Sequence, residues 1–317
     1  MTTMGKYRHL GRVASADGHF VVLAIDHRAN LRADLDRHVA VAIDDAAFAA
    51  FKQQVIAALA PESTGVLTDP AYGIGQAVAA RVIHGRLGLL APLEVTDYDL
   101  HPSQRDMAFI PDWSVAQIKR MGGDGVKLLL PYHPDADSAA DKRALVAGIV
   151  AECAAHDIPF FLEPVAYSLD PAYPLPDAEL RAVTVTMAQQ FSALGVDVLK
   201  LQFPANARQN SDRASWRDAC AAVDAACSVP WALLSGGSDY PTFADQARIA
   251  CEAGASGVIV GRAVWSDAVR LDGSDREVFL RTTAAGRMRE LAAICAAGAR
   301  PWFTRTTPPD AAVDWYA

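Results

Sequence analysis

The sequence is short of the features that mark many protein classes. Its five cysteines (Cys153, Cys220, Cys227, Cys251, Cys295) are an odd number, with no C-x-x-C pair and no Cys/His spacing of a zinc site. They predict small core hydrophobes in a reducing compartment, not a disulfide framework. No apolar run approaches the ~18 residues of a membrane span, and the opening MTTMGKYRHL carries no apolar signal segment. A soluble, cytoplasmic protein with no membrane partner is expected. Basic runs are also missing: 29 Lys+Arg against 37 Asp+Glu leave a net charge of -8. That excludes sequence-independent nucleic-acid binding and requires any anionic ligand to be held by local positive charge. There is no G-x-x-x-x-G-K-[ST], no G-x-S-x-G and no H-E-x-x-H. Gly73 and Gly75 begin a dinucleotide fingerprint, but Val78 stands at its sixth position and breaks it. His84, His101, His133 and His156 lack metal-ligand spacing. Asp97 and Asp99 read as solvated loop carboxylates, with a divalent-metal role as the alternative.

What the chain has is apolar material, 51% of 317 residues, arranged in a recurring pattern. Eight short apolar runs recur, each holding or ending in a polar residue or glycine: 21–26 (VVLAID), 65–69 (GVLTD), 91–95 (APLEV), 125–130 (GVKLLL), 159–163 (PFFLE), 196–202 (VDVLKLQ), 231–235 (WALLS) and 257–261 (GVIVG). Their starts lie about 26 to 44 residues apart, room for a strand, a helix and two loops. Helical stretches at 44–59, 114–121, 140–156, 176–194 and 242–253 fill the gaps, and Gly122, Gly195 and Gly254 suit helix C-termini. Alternating strands and helices imply parallel pairing through right-handed crossovers, and continuous apolar runs suit strands buried on both faces. Eight units favour a closed (β/α)8 TIM barrel over an open doubly wound sheet. The chain is expected to be one α/β domain over 1–317, with an N-terminal segment at about 1–20 and a tail at about 298–317. In that tail Trp302, Phe303, Trp315 and Tyr316 would pack on the barrel or on a partner subunit.

A parallel barrel carries its site at the C-terminal ends of the strands. There the sequence places Asp26, Asp69, Lys127, Glu163, Lys200, Ser235 and Gly261-Arg262. A lysine inside an apolar strand is costly unless it is paired or neutral. One such lysine is as easily a structural ion pair as a catalyst; two, with Asp26 and Glu163 converging on the same end, point to chemistry. Imine formation fits. An amine of pKa ~10.4 is neutral in about one molecule in 2,500 at pH 7, and a drop of ~3 units makes roughly a third of it nucleophilic. Burial and a second cation push that way, so Lys127 and Lys200 facing one lumen would supply the arrangement. Ser235-Gly236-Gly237 and Gly261-Arg262 end the last two strands, where backbone N–H groups suit a phosphate; the bland alternative is ordinary turn glycines. His27 beside Asp26 reads more readily as a neutral hydrogen-bonding residue than as a ligand contact.

These same stretches, LAIDHRANL, PDWSVAQIKRMGGDGVKLLLPYHPD, IPFFLEPVAY, GVDVLKLQFP and PWALLSGGSDYPTF…CEAGASGVIVGRAVW, resemble the tagatose-1,6-bisphosphate aldolase family, which includes 6-deoxy-6-sulfofructose-1-phosphate aldolases. The resemblance covers about 21–265. It implies a TIM barrel and a class I aldolase that needs no metal or cofactor. Lys200 would form the imine, Lys127 would be its neighbouring lysine, Glu163 would move protons and Asp26 would be a polar partner. Ser235, Gly236, Gly261 and Arg262 would clamp a C1 phosphate, with Arg28 a weaker candidate for the same anionic substrate. His27 stands where the family usually has Gln, Gln202 where it commonly has Glu, and Ser238 where it has Val. His27 and Gln202 are expected near substrate, which leaves the sugar open. The substrate would be a ketose 1-phosphate such as tagatose 1,6-bisphosphate, cleaved to dihydroxyacetone phosphate and a three-carbon aldehyde. The alternatives are the sulfosugar, a metal-dependent barrel lyase, and a sugar-phosphate sensor without turnover. Self-association, common in the family, implies a homo-oligomer.

Overall fold

A computed structural model of the chain describes residues 2–39, 41–95 and 100–315. Eight parallel strands close into a barrel: β1 (Phe20–Ile25), β2 (Gly65–Thr68), β3 (Gly88–Pro92), β4 (Gly125–Tyr132), β5 (Phe160–Ala166), β6 (Val198–Leu201), β7 (Trp231–Leu234) and β8 (Gly257–Val260). The seam is β1 on β8, with Phe20 opposite Gly257 and Leu23 opposite Val260. Helices lie outside it, among them Asp45–Leu59, Ala139–Ala155, Asp177–Ala193, Arg213–Ala226 and Tyr240–Ala253. Side chains at helix starts satisfy backbone donors there: Asp44 accepts from the amide of Ala47, Ser114 from Gln117 and Asp239 from Thr242. At the other ends Gly122, Gly195 and Gly254 take positive φ (91°, 88° and 122°), as the helix-stop reading requires.

Strand alternation divides the apolar residues into two cores. Val21, Leu23 and Ile25 of β1 face the helices, whereas Phe20, Val22 and Ala24 face the lumen with Leu67, Leu90, Phe161, Val198, Ala232 and Ile259. A helix the sequence reading left as an undefined segment, Met4–Val13, closes the floor with Leu10 and Val13. Trp302 joins them, its ring 4.7 Å from that of Tyr7. Phe303 packs edge-on against Trp302 and is 41% exposed, Trp315 is more than half exposed, and Tyr316 lies outside the described residues.

The third strand begins three residues earlier than expected and stops at Pro92. A Cβ on Gly88 would stand 2.7 Å from the Cα of Val13, so glycine lets the floor helix touch the strand. The residues beyond Pro92 leave the barrel, and Glu94–Val95 pairs antiparallel with Ala108–Phe109. Asp97 and Asp99 lie outside the described residues. No helix among the described residues is long and apolar enough to cross a membrane.

Candidate active site

The lumen changes chemistry along its axis. The parity that buries Phe20, Phe161 and Val198 near the floor carries Asp26, Glu163 and Lys200 to the mouth, and Lys127 follows Gly125 in the same way. Gly125 is small because a Cβ there would meet the Phe161 ring at 2.7 Å. All four charged side chains are at most 9% exposed.

They form one ion cluster. The ammonium of Lys127 donates to Asp26 Oδ2 at 2.8 Å and to Glu94 Oε1 at 2.6 Å, and stands 3.1 Å from Glu163 Oε2. Lys200 Nζ stands 2.9 Å from that same Glu163 oxygen. The two lysines are therefore not equivalent. Burial would lower Lys127, but Asp26, Glu163 and Glu94 together raise it well above an ordinary lysine. It is a fixed cation, contrary to the expectation of two amines depressing one another. Lys200 contacts a single carboxylate among the described residues. Burial pushes Asp26 up, yet Lys127 and Lys200 outweigh it and hold the carboxyl well below the usual range. His27, 3.9 Å from Asp26 and edge-on to the Trp265 ring, is lowered to about 3 by burial, with Asp26 opposing and Arg262 and Lys200 adding to the effect. It is neutral at physiological pH.

A cavity of about 200 Å³ opens above the cluster. Asp26, His27, Lys127, Glu163 and Lys200 form one side of its lining, and Ser235, Gly236, Gly237, Gly261 and Arg262 the other. Gly236 and Gly237 both take positive φ (55° and 80°), and neither amide donates to a partner among the described residues. The Arg262 guanidinium lies close to Gly237 and forms no ion pair with a carboxylate among the described residues. Amides and a guanidinium without partners among the described residues are the kind of donors that an anionic oxygen group needs.

Two of the expected contacts are not in the lining of this cavity. Arg28 donates to the Glu94 carbonyl at 2.6 Å. Gln202 accepts from the Ala166 amide at 3.1 Å, stitching β5 to β6, and lines a neighbouring cavity of about 470 Å³. Asp69 also leaves the lumen, because β2 ends at Thr68; it caps the turn Pro70–Ile74 and pairs with the buried Lys52. Sequence reasoning missed Glu94, although it is the one charged residue of the APLEV run, as Asp26 is of VVLAID. It missed Lys52 as well, since one lysine in an Ala-rich helix reads as solvated. No cluster of metal-ligand type occurs among the described residues.

A closed parallel barrel with two lysines among carboxylates at its mouth is an architecture that suits an aldolase-type lyase, and comparison with known proteins places the chain in that class. A model of the DeoC/LacD family aldolase matches residues 20–267, and the chain belongs to that family. Tagatose 1,6-diphosphate aldolase of Listeria monocytogenes is 33% identical over 329 residues, covering 96% of this chain and 95% of the relative. Tagatose 1,6-diphosphate aldolase 2 of Streptococcus mutans is 31% identical over 324 residues, covering 95% and 98%. An archaeal fructose 1,6-bisphosphate aldolase shares the fold, with a TM-score of 0.62 at 17% identity over 92% of this chain and 100% of that one. The protein is an aldolase, a carbon–carbon lyase.

Proposed function

We propose that the protein cleaves a ketose 1-phosphate through an imine on Lys200, with tagatose 1,6-bisphosphate the favoured substrate because the curated relatives carry that name. The observation that carries the reading is the shared oxygen of Glu163, 2.9 Å from Lys200 and 3.1 Å from a lysine that is permanently charged. Glu163 takes a proton from Lys200, and the neutral amine attacks the C2 ketone. Glu163 returns the proton to the carbinolamine hydroxyl, water leaves, and a protonated imine remains. That cation accepts the electron pair of the C3–C4 bond while Glu163, again a carboxylate, removes the C4 hydroxyl proton and the aldehyde departs. Protonation of the enamine and hydrolysis release dihydroxyacetone phosphate and free Lys200. Such acid–base help contributes about 10²–10⁴ in rate. Lys127 keeps Asp26 ionised and stands beside Glu163 as that group takes and gives its proton, and Ser235, Gly236, Gly261 and Arg262 hold the C1 phosphate so that C2 meets the amine.

Lys200→Ala is expected to abolish cleavage, and borohydride with dihydroxyacetone phosphate to add covalent mass at Lys200 in the parent enzyme. Full activity in the variant, or loss of parent activity to EDTA, would overturn the imine. A parallel assay with tagatose 1,6-bisphosphate, fructose 1,6-bisphosphate and sulfofructose 1-phosphate identifies the sugar; cleavage of none of them favours a sensing role.

A further inference from the structure

Three carboxylates (Asp26, Glu94, Glu163) and two ammonium groups (Lys127, Lys200) form the ion cluster, so one carboxylate has no ammonium group of its own; Arg262 lines the same cavity but forms no ion pair with them. A buried carboxylate that must share its cation is expensive, and a proton on it removes that cost. The geometry decides which carboxylate. Glu163 lies within 3.1 Å of both ammonium groups. Asp26 accepts from Lys127 at 2.8 Å and lies in the field of Lys200. Glu94 is 1% exposed, and among the described residues its carboxyl forms an ion pair with Lys127 alone, through Oε1. Its Oε2 is buried with neither a hydrogen-bond nor an ion-pair partner among the described residues, whereas Glu163 Oε2, which also lacks an aligned hydrogen bond, is flanked by both ammonium groups; the Glu94 arrangement is far costlier for a carboxylate than for a carboxylic acid. The groups facing it are Lys127 from β4, Asp26 from the end of β1, and Arg28, which binds its carbonyl. Burial and the Asp26 charge raise Glu94, with Lys127 opposing.

We propose that Glu94 is a positioning residue that keeps its proton in the resting enzyme and holds Lys127 against Asp26 and Glu163 as a neutral acceptor. Glu94 is not in the lining of the cavity and would act through Lys127. Ionised, it would add negative charge beside the cluster and favour the ammonium form of Lys200; protonated, it anchors Lys127 while leaving the nucleophile free to deprotonate. Only this consequence rests on the imine reading; the location of the proton does not.

The test has two arms. Infrared difference spectra of the full chain at pH 7, without substrate, are expected to show a protonated-carboxyl band in the parent that Glu94→Gln removes. A band that survives the substitution, or no such band in the parent, overturns the proposal whatever the enzyme cleaves. In kinetics, Glu94→Ala is expected to lower kcat by about tenfold or more with little change in KM, and Glu94→Gln to restore it to within about threefold. The alkaline fall of kcat should move to higher pH in the Gln variant. A Gln variant as damaged as the Ala variant would mean an ionised carboxylate is required, and an Ala variant as active as the parent would remove the positioning role.

Discussion

His27 sits 3.9 Å from a carboxylate and still stays neutral, because burial and the neighbouring cations outweigh Asp26. The consequence for stability has a definite sign. Between the ordinary histidine value of 6.5 and the folded value of about 3, the unfolded chain binds a proton that the folded chain refuses. Stability therefore falls as pH drops through this window. Between pH 7 and pH 5 the parent is expected to lose about 2 kcal/mol more than His27→Gln, read as the difference in urea unfolding free energies. Equal losses would show that the ring is solvated. At this scale the sequence was only half informative. It exposed Lys127 and Lys200 as costly residues in apolar strands, but not which of them is pinned. That depends on distances to Asp26, Glu94 and Glu163, which are remote in sequence from both lysines.

Strands were the most legible elements, since a run buried on both faces writes its own limits in apolar residues. Their parity was legible too: Val198 and Lys200 alternate with Leu199 and Leu201, so placing one lumen residue places the next. The failures occur where a strand ends. Periodicity cannot announce that β2 stops at Thr68 and turns Asp69 toward Lys52, nor that the chain after Pro92 leaves the barrel and brings Glu94 back behind Lys127. The start of β8 shows how strongly a seam can depend on one residue. Gly257 has φ 130°, and a Cβ there would collide with the backbone of Phe20. Gly257→Ala should strain the β1–β8 seam and cost about 2–4 kcal/mol, with faster hydrogen exchange at Phe20–Leu23. A variant as stable as the parent would show that the seam can shift to accommodate the methyl group.

Across the molecule the barrel is a tube whose two ends do different work. The floor is sealed by Leu10, Val13 and Trp302, drawn from both ends of the chain, and the mouth holds the charges. Trp302 is 3% exposed and packs on Tyr7. Its replacement by Ala should cost about 3–5 kcal/mol of unfolding free energy while KM stays unchanged, because the floor lies away from the reacting groups. A rise in KM of the same variant would show that the two ends are coupled. The alternation of apolar runs and helices is a local property, and the sequence by itself therefore determined the eightfold barrel and the end of it that carries the chemistry. Tertiary structure alone decided that Lys127 is a fixed cation, that Glu94 completes its shell, and that Gln202 is spent on a backbone amide. Coulomb energies and hydrogen bonds depend on separations of a few ångströms between strands, and those separations exist only once the barrel has closed.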